Sequence, residues 1–469
     1  MHRHPFRIPR FTLSARHGGP VSPGSATRAL AVLALAALAL AALTLVWPGP
    51  AHGLDKPVAR QLVVEQIELT GEPRTRLEVV ERYLGLAAGS TLLSADLLTG
   101  RQRLEETGFY KSVDVYARPG SEKGLVVVVV ELEEHTQPQY RFQGGHGRLD
   151  GWFIVPVSFV YDNPWGRGHR LDWQWYVGSH ADGTKLHYQH PRLFGGAASL
   201  DVDLFSESRS FPQWVQGKRV RERVDIGGLH FRLAVQRGRL HNMFAEVRMQ
   251  TYEPGRSDEV EPLLGRDLDE ADVMVVCAGR RRDTRDHTGY PTRGFWGQVK
   301  VEQALSGSAG DVAFARLDAE GRWYRLLENR NVAAVRLHAG LVTKDAPFYE
   351  RYYLGGPYSM RKFERAEATP VGWGTRTLQI QSELRLPFGR EEAAGPVNTG
   401  VLFYDVGGIW LPGEVPLPAD LEHDMGVGYR RRVPVLGVLR LDLSLPVVPT
   451  DGDTDWDGFH LWLTLGRTF

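Results

Sequence analysis

The amino-acid sequence predicts a membrane all-β protein, namely a transmembrane β-barrel of about 16 strands preceded by one small α+β domain. Three observations favour this fold class. Apolar and polar residues alternate in the C-terminal segments, the N-terminus is typical of an export signal, and strand-like segments separated by turn residues fill the region between them.

Residues 1–53 are typical of a secretory signal peptide. Met1–Arg28 carries five arginines and no acidic residue, and Ala29–Trp47 is a run rich in Ala, Leu and Val. Pro48-Gly49-Pro50 ends the run, and small residues at Ala51 and Gly53 offer a cleavage site. A retained transmembrane helix is the alternative, because the apolar run is almost long enough to span a bilayer.

Composition narrows the classes of function. The 469 residues carry a formal net charge of zero, which argues against nucleic-acid binding, and Cys277 is the single cysteine. One cysteine cannot form an intramolecular disulfide framework or a cysteine-rich zinc site. Neither a nucleophile elbow nor a phosphate loop is present, so we predict no enzyme and no cofactor.

Two patterns resemble metal sites and are set aside. His187 and His190 fall on a predicted strand, where their spacing puts them on opposite faces. Trp462 replaces the bidentate glutamate that an EF-hand needs at the twelfth position of the calcium-loop-like run Asp451, Asp453, Asp455 and Asp457. We therefore predict no specific metal site, although this polar loop could bind cations weakly.

Residues 60–135 predict the small α+β domain. The order is one strand, two helices and two strands: Val63–Thr70, Thr75–Leu84, Ser94–Thr107, Ser112–Ala117 and Leu125–Glu133. Ser94 is the expected N-cap of the second helix, and Gly108 is expected to end it. An unrelated small α+β module would give the same order.

Two segments of this domain resemble the POTRA family. Val64-x-x-Ile67-x-Leu69-x-Gly71 resembles its first strand, and Leu104-x-x-x-Gly108-Phe109-Tyr110-x-x-Val113 resembles its strongest local signature. The resemblance implies a periplasmic domain, with one copy present, whose characteristic positions are Gly71, Gly108, Phe109 and Tyr110.

Residues 138–469 predict the barrel. From Tyr140 onward about 330 residues contain a strand-like segment every 20 or so, which gives roughly 16 strands. In Gly437–Leu445 the leucines would face lipid, while Arg440, Asp442 and Ser444 would face a watery lumen. Closure satisfies every backbone polar group in hydrocarbon, whereas a soluble sandwich, the alternative, would bury the leucine face against a second sheet.

Several barrel segments resemble the BamA/TamA superfamily of POTRA-barrel bacterial outer-membrane proteins of the surface-antigen type, here in a short form with a single POTRA domain. Asp162–Gly168 resembles the first extracellular turn, and Tyr290–Gly294 a mid-barrel segment. Phe403-x-Asp405-x-Gly407 matches a strand motif of the family. The most specific match is the long-loop motif, with Gly355, Gly356, Ser359, Met360, Arg361, Lys362 and Phe363.

Strand parity predicts a contact between this loop and the barrel wall. Asp405 and Glu383 both fall on inward positions of their strands. Arg361 could bridge them, because a guanidinium presents a planar fork to carboxylates. The alternative is a modest ion pair in a wet lumen. Lys362 replaces the family glycine, which would cost roughly 1 kcal/mol if the position required positive φ.

The first and last strands predict a weak seam. Gly144, Gly145 and Gly147 make the first strand glycine-rich, so that a client strand could pair with its exposed edge. The glycines could instead mark a β-bulge or make room for the loop. The last strand resembles a β-signal, with Leu461, Leu463, Leu465 and Phe469 on one face.

The resemblance implies an outer-membrane protein assembly, insertion or polypeptide translocation factor of the bacterial outer membrane, with its POTRA domain in the periplasm. Its expected partners are outer-membrane lipids and lipopolysaccharide, unfolded outer-membrane or secreted polypeptide clients, and periplasmic proteins on the POTRA domain. A two-partner-type secretion pore and a passive porin or surface antigen are the alternatives.

Overall fold

A computed structural model of the protein describes residues 62–466, apart from residues 72, 136–137, 141, 148–150, 192, 194–197, 238–240, 308–309, 393–394, 434–436 and 447–458. The predicted signal peptide, the run Asp451–Asp457 and Phe469 lie outside the described residues. In the described part of the chain, no helix is long and apolar enough to cross a membrane.

The N-terminal domain contains four strands and two helices: β1 Leu62–Thr70, α1 Leu77–Leu84, β2 Thr91–Leu92, α2 Ser94–Glu106, β3 Tyr110–Pro119 and β4 Leu125–Glu134. The sheet order is β2-β1-β4-β3, with β1 and β4 parallel. Fully buried Val64, Val80, Leu104 and Val128 form its core. The predicted order is therefore right, with β2 as an additional short strand.

The start of α2 corrects one detail of the prediction. Ser94 is the first helical residue rather than the N-cap, which is Leu93. The N–H group of Leu93 donates to Asp96 Oδ2 at 3.0 Å, which is the bond that the third helical residue makes back to the N-cap in a capping box. Gly108 follows the helix with φ of 71°, a left-handed conformation that suits glycine.

The second domain is a closed antiparallel barrel. Its segments are β5 Gln139–Tyr140, β6 Gln143–Gly147, β7 Gly151–Asp162, β8 Arg170–Gly178, β9 Ala181–His190, β10 Ala198–Val215, β11 Lys218–Arg237, β12 His241–Pro254, β13 Ala271–Asp283, β14 Gly294–Leu305, β15 Ala315–Leu326, β16 Val332–Val342, β17 Arg376–Glu392, β18 Gly395–Trp410, β19 Glu422–Val433, β20 Gly437–Pro446 and β21 His460–Leu465.

Both β5 and β6 pair with β7, so they are successive pieces of one first strand. The described residues thus form 16 strand positions, and the predicted fold class is confirmed. A short helix, α3 Glu261–Leu264, lies in the loop between β12 and β13.

Side-chain alternation in β20 follows the predicted faces. Arg440, Asp442 and Ser444 are fully buried, whereas Leu441 is 41% exposed on the outer surface. Alternation in the sequence predicts a strand over 375–386 and a turn over 387–398, but that turn is too long, because β17 and β18 continue until only residues 393–394 separate them. A register shift between Phe388 and Glu391 lets the pairing continue past the expected end of β17.

The turn between β7 and β8 lies at the POTRA end of the barrel, so its assignment as an extracellular turn is wrong. Asn163 Nδ2 donates to Thr75 Oγ1 at 2.6 Å, and the N–H group of Arg76 donates to the carbonyl of Gly166 at 2.8 Å. The first strand leaves the POTRA domain and the second returns, which brings this turn back to it. The same alternation places Tyr290–Gly294, between β13 and β14, at that end.

An apolar core fills the opposite mouth of the barrel. Phe211 and Val224, near the tip of the β10–β11 hairpin, pack with Leu268 and with Phe348 and Trp373 of the β16–β17 loop. All five side chains are at most 3% exposed. Packed apolar side chains therefore occupy this end of the lumen along β10–β16.

Candidate functional site

Residues 343–375, which connect β16 to β17, fold back into the barrel, and we name them the lumenal loop. Gly355 and Gly356 make its sharpest turn, with φ of 116° and 102°. A side chain at Gly355 would collide with the carbonyl of Glu364. The N–H group of Gly356 donates to the carbonyls of Met360 and Phe363 at 3.1 and 3.0 Å, which closes the turn that presents Arg361.

Glycine on the barrel wall makes room for this turn. A Cβ atom at Gly407 would lie 3.0 Å from Leu354 Cδ1 and 3.1 Å from Met360 Sδ. Leu354 and Met360 are both 1% exposed. On the neighbouring strand, Gln381 Nε2 donates to the carbonyl of Ser359 at 2.8 Å. The loop and strand motifs therefore pack against each other.

The structure brings Arg361, Glu383 and Asp405 together. Arg361 Nη2 donates to Glu383 Oε1 at 2.9 Å, and Arg361 Nε lies 3.0 Å from Asp405 Oδ2 without hydrogen-bond geometry. The guanidinium carbon lies 3.8 Å from the ring centroid of Phe403. All three charged side chains are at most 1% exposed, so this contact differs in kind from a surface ion pair.

Further charges surround these three residues, and we name the whole set the arginine cluster: Arg361, Arg385, Arg430 and Arg440 with Glu383, Asp405, Asp424 and Asp442. Arg385 Nε donates to Glu383 Oε2 at 3.0 Å, and Arg440 Nη2 donates to Asp442 Oδ2 at 2.6 Å. Arg430 also donates to Asp442. Four arginines face four carboxylates, which compensates the buried charge.

Lys362, where the family has glycine, is accommodated without left-handed backbone. Its N–H group donates to Asp424 Oδ2 at 2.8 Å, and its Nζ donates to Glu422 Oε2 at 2.7 Å. Lysine would be strained here only at a positive φ, and this position does not have one. The side chain instead adds an ion pair between the lumenal loop and β19.

A second anchor, which the sequence analysis missed, holds the start of the lumenal loop. Glu350 Oε1 accepts from Arg248 Nη1 at 3.1 Å and from the Tyr252 hydroxyl at 2.8 Å, while Oε2 accepts from Arg316 Nη2 at 2.7 Å. Burial would raise the pKa of Glu350, but the guanidinium groups of Arg248 and Arg316 lower it to about 2. We name these four residues the Glu350 anchor.

The predicted seam residues flank the closing point of the barrel. Leu461 and Leu463 are 67% and 51% exposed on the outer surface, whereas Leu465, expected on the same apolar face, is 9% exposed. A Cβ atom at Gly145 would lie 2.9 Å from the Phe153 ring. Trp462 Nε1 donates to the carbonyl of Arg361 at 2.6 Å, which ties the last strand to the lumenal loop.

Two of the seam glycines, Gly144 and Gly147, lie in β6 opposite Ile154 and Gly151. One alternative for these glycines is a β-bulge in β6. The bulge lies in β7 instead, where the register of the β7–β8 pairing shifts between Ile154 and Val157.

Of the four POTRA positions, Phe109 and Tyr110 are buried in the core of that domain, whereas Gly108 is half-buried and Gly71 is exposed. Gly71 has φ of 90°, and a side chain there would collide with the carbonyl of Leu132. Phe109 is 6% exposed and packs edge-on against Tyr83. The hydroxyl of Tyr110 donates to Thr75 Oγ1 at 3.3 Å, which links the core to the barrel contact.

The described residues contain no group of three or more His, Cys, Asp or Glu side chains placed to hold a metal ion. His187, one of the two histidines set aside above, contacts a carboxylate instead, with Nδ1 2.7 Å from Asp203 Oδ1.

A closed 16-stranded barrel with a loop folded into its lumen and a POTRA domain at one end defines a class of membrane protein. The model of the Omp85 superfamily domain matches residues 163–469, and the POTRA model, described as a surface antigen variable number repeat, matches residues 62–134. The chain belongs to the Omp85 superfamily. It is an outer-membrane β-barrel protein with a periplasmic POTRA domain.

Named relatives agree with this family. The outer membrane protein assembly factor BamA of Nitratidesulfovibrio vulgaris is 23% identical over 66% of this chain and 39% of the relative. BamA of Neisseria meningitidis is 22% identical over 75% of this chain and 47% of the relative. The chain thus spans less than half the length of these two proteins.

Solved structures show the same fold. BamA from Haemophilus ducreyi lacking POTRA domains 1–3 superposes with a TM-score of 0.65 at 17% identity, covering 86% of this chain and 83% of that one. CdiB from Acinetobacter baumannii superposes with a TM-score of 0.56 at 16% identity, covering 87% of this chain and 74% of that one.

Proposed function

We propose that this protein assembles or translocates polypeptides at the outer membrane, with the seam between its first and last strands acting as a lateral gate. The observation that carries the proposal is the lumenal loop. Arg361 fixes the loop to β17 and β18, and the carbonyl of the same residue accepts a hydrogen bond from Trp462 in the last strand. A change at the arginine cluster would therefore reach the seam directly.

The POTRA domain offers a place where an extended client or partner segment could bind. Among the described residues, strand β3 pairs with β4 alone in the sheet order β2-β1-β4-β3, so its other edge is available to a further strand. Tyr116 of β3 is 49% exposed. Edge pairing supplies affinity through main-chain hydrogen bonds and tolerates varied sequences, which suits unfolded outer-membrane or secreted clients and periplasmic partners.

Membrane lipids are the remaining expected partners. Leu402 and Leu441 are 48% and 41% exposed on strands whose opposite face lines the lumen, so the barrel wall presents apolar side chains to lipid. Lipopolysaccharide, in the outer leaflet of the membrane, would contact the outer end of the same wall. The two BamA relatives are named as assembly factors, and we propose that this protein likewise acts without catalysing a chemical reaction.

The two alternative functions differ from assembly in what the lumen must do. A passive porin needs a continuous aqueous path, whereas Phe348 and Trp373 pack into an apolar core at the outer mouth. A secretion pore of the two-partner type would require the lumenal loop, which Arg361 and Glu350 hold inside the barrel, to leave the lumen. Assembly through the seam needs neither an open path nor full loop ejection.

Depletion followed by quantitative proteomics of the isolated outer membrane tests the proposal. We expect loss of one or more barrel proteins, restored by the wild-type protein but not by Arg361→Ala or Asp405→Ala. Arg361→Lys keeps the charge without the fork and should restore assembly only in part. An unchanged outer membrane after depletion would contradict the proposal.

Two measurements keep this experiment interpretable. Breaking a buried ion pair costs about 3–5 kcal/mol, so insertion of each variant is checked by its heat-modifiable gel migration. Arg330→Ala removes an exposed arginine at the POTRA end and should behave as wild type, because its ion pair with Glu391 is more than half exposed on both sides.

A further inference from the structure

Tyr358 of the lumenal loop contacts both strands that flank the seam. Its hydroxyl lies 2.6 Å from the carbonyl oxygen of His146 in β6 and 3.3 Å from that of Leu465 in β21. A phenol has one proton, so it donates to one of these carbonyls at a time, and the shorter distance favours His146. One side chain of the loop thus contacts the main chain of both the first and the last strand of the barrel.

The His146 carbonyl lies on the seam edge of β6. His146 is opposite Trp152 in the pairing of β6 with β7. The carbonyl of Trp152 accepts from the N–H group of Ser179 at 2.8 Å, on the side of β8. In an antiparallel ladder the N–H and C=O groups of one residue point to the same neighbouring strand. His146 is therefore in a non-hydrogen-bonded pair, and its carbonyl points away from β7, toward the seam.

The Leu465 carbonyl lies on the seam edge of β21 by the same reasoning. The N–H group of Gly466 donates to the carbonyl of Val438 in β20 at 2.7 Å. Successive residues along a strand direct their polar main-chain groups to opposite sides. The carbonyl of Leu465 therefore points away from β20, toward the seam.

Neighbouring contacts hold Tyr358 in this position. The guanidinium carbon of Arg440 lies 4.9 Å from the centroid of its ring, and the ring is tilted against that of His146 at 5.8 Å. Arg365 Nη2 lies 2.6 Å from His146 Nε2, which must accept because a guanidinium only donates. Tyr358 is 8% exposed. The hydroxyl is thus held in place by the arginine cluster and by the loop.

We infer that Tyr358 is a positioning residue that latches the seam. Its hydroxyl donates to one edge carbonyl and lies against the other, in the space that the N–H groups of an incoming strand would need, so it must leave before an extended client segment can pair with β6 or β21. The inference rests on the proposed function, because an edge capped in this way matters for a barrel that later offers it to a client. Only two residues separate Tyr358 from Arg361, which couples the latch to the arginine cluster.

The latch is tested without any client by Tyr358→Phe, which keeps the ring and removes the proton. Tyr352→Phe is the matched control, since this tyrosine lies in the same loop and its hydroxyl is 3.4 Å from the carbonyl of Leu317, away from the seam. Nitroxide labels at Gln143→Cys and Leu461→Cys, in a Cys277→Ser background, report the seam distance by pulsed EPR in liposomes.

We expect Tyr358→Phe to raise the population with a separated seam about fivefold, the ratio set at 25 °C by one hydrogen bond of ordinary strength. Tyr352→Phe should match the wild type. A distance distribution in Tyr358→Phe that is the same as in the wild type would overturn the inference.

A second readout separates the latch from the proposed function. A synthetic peptide with residues 459–469 of this chain, carrying a photo-crosslinker, is offered to each variant. Capture about fivefold above wild type in Tyr358→Phe supports the latch. Seam opening with no capture by any variant would contradict the proposed gate while the latch stands. Equal capture by all variants with an unchanged seam distance would overturn the latch and leave the proposed function intact.

Discussion

At the scale of single residues, burial decides what each lumenal charge contributes. Arg361 and Asp405 are fully buried, and so is Asp442 of β20. A charge in such a place must be compensated by others, because leaving it unpaired costs several kcal/mol. The contacts of the lumenal loop are thus mutually dependent, and removing one partner harms the groups that remain.

Glu350→Gln is expected to lower the free energy of unfolding by about 2 kcal/mol, because it removes one of the two buried carboxylates that Arg248 and Arg316 share and leaves Glu302 as the other. Glu364→Gln makes the same change on the same loop, at an ion pair with Arg219 whose carboxylate is 42% exposed. That control should change stability by less than about 1 kcal/mol. Thermal unfolding in detergent measures both, and equal effects would contradict a special role for the Glu350 anchor.

The contribution of Glu350 should depend on pH in a defined direction. Its pKa in the folded protein is lowered to about 2 from an ordinary value of 4.5. A lowered pKa means that the stabilisation is fully present above the ordinary value and is lost as the pH falls through the folded value. The difference in unfolding midpoint between wild type and Glu350→Gln should therefore be constant from pH 7 to about 5 and shrink toward pH 2.

At the scale of elements, the β7–β8 turn joins the barrel to the POTRA domain. Asn163 has φ of 53°, and its side chain accepts from the N–H group of Gly168 at 2.6 Å while donating to Thr75. Thr75 in turn donates to Glu134 Oε1 at 2.6 Å, at the end of β4. These hydrogen bonds therefore link the β7–β8 turn of the barrel to β4, a central strand of the POTRA sheet.

Asn163→Ala should broaden the distribution of distances between the two domains, because alanine loses both hydrogen bonds and costs about 1 kcal/mol or more in left-handed backbone. Labels at Lys123→Cys and Glu391→Cys, in a Cys277→Ser background, report this distance by pulsed EPR. Asn329→Ala is the control, since Asn329 also has positive φ but lies in the turn after β15. A narrow, unchanged distribution in Asn163→Ala would show that other contacts fix the domains.

At the scale of the whole molecule, the lumenal loop enters the barrel from the outer mouth and occupies it at two levels. Its residues Phe348 and Trp373 pack into the apolar core at the mouth, and the arginine cluster around Arg361 lies in the lumen below it. Trp373 fixes the loop at the mouth, because its ring packs with Phe211 and Phe348 and its Nε1 donates to the carbonyl of Pro212 in β10 at 3.1 Å.

The wild-type barrel should show low ion conductance in planar bilayers, and Trp373→Ala should raise the frequency of open events. Truncating a buried tryptophan costs about 3–5 kcal/mol and loosens the core that covers the mouth. Trp323→Ala, at a position 44% exposed on the outer wall, should leave conductance unchanged. A large steady conductance in the wild type would instead favour the passive channel.

The sequence alone determined the fold class and the face on which each charge lies. Period-2 alternation is a local property, so it showed that Arg440 and Asp442 face inward and that Asp405 and Glu383 share the lumen. The same rule could have found Arg385, which shares parity with Glu383. The glycine pair Gly355-Gly356 comes from the resemblance to the family, and its positive φ explains why glycine stands there.

Only the tertiary structure decided which distant groups meet. Strand register and barrel closure bring Arg248 of β12 to Glu350, and they bring Tyr358 to the main chain of β6 and β21. The side of the membrane on which the Asp162–Gly168 turn lies also depended on counting strands from the POTRA domain. Such contacts join residues more than a hundred positions apart, and neither spacing nor alternation carries information on register between separate strands.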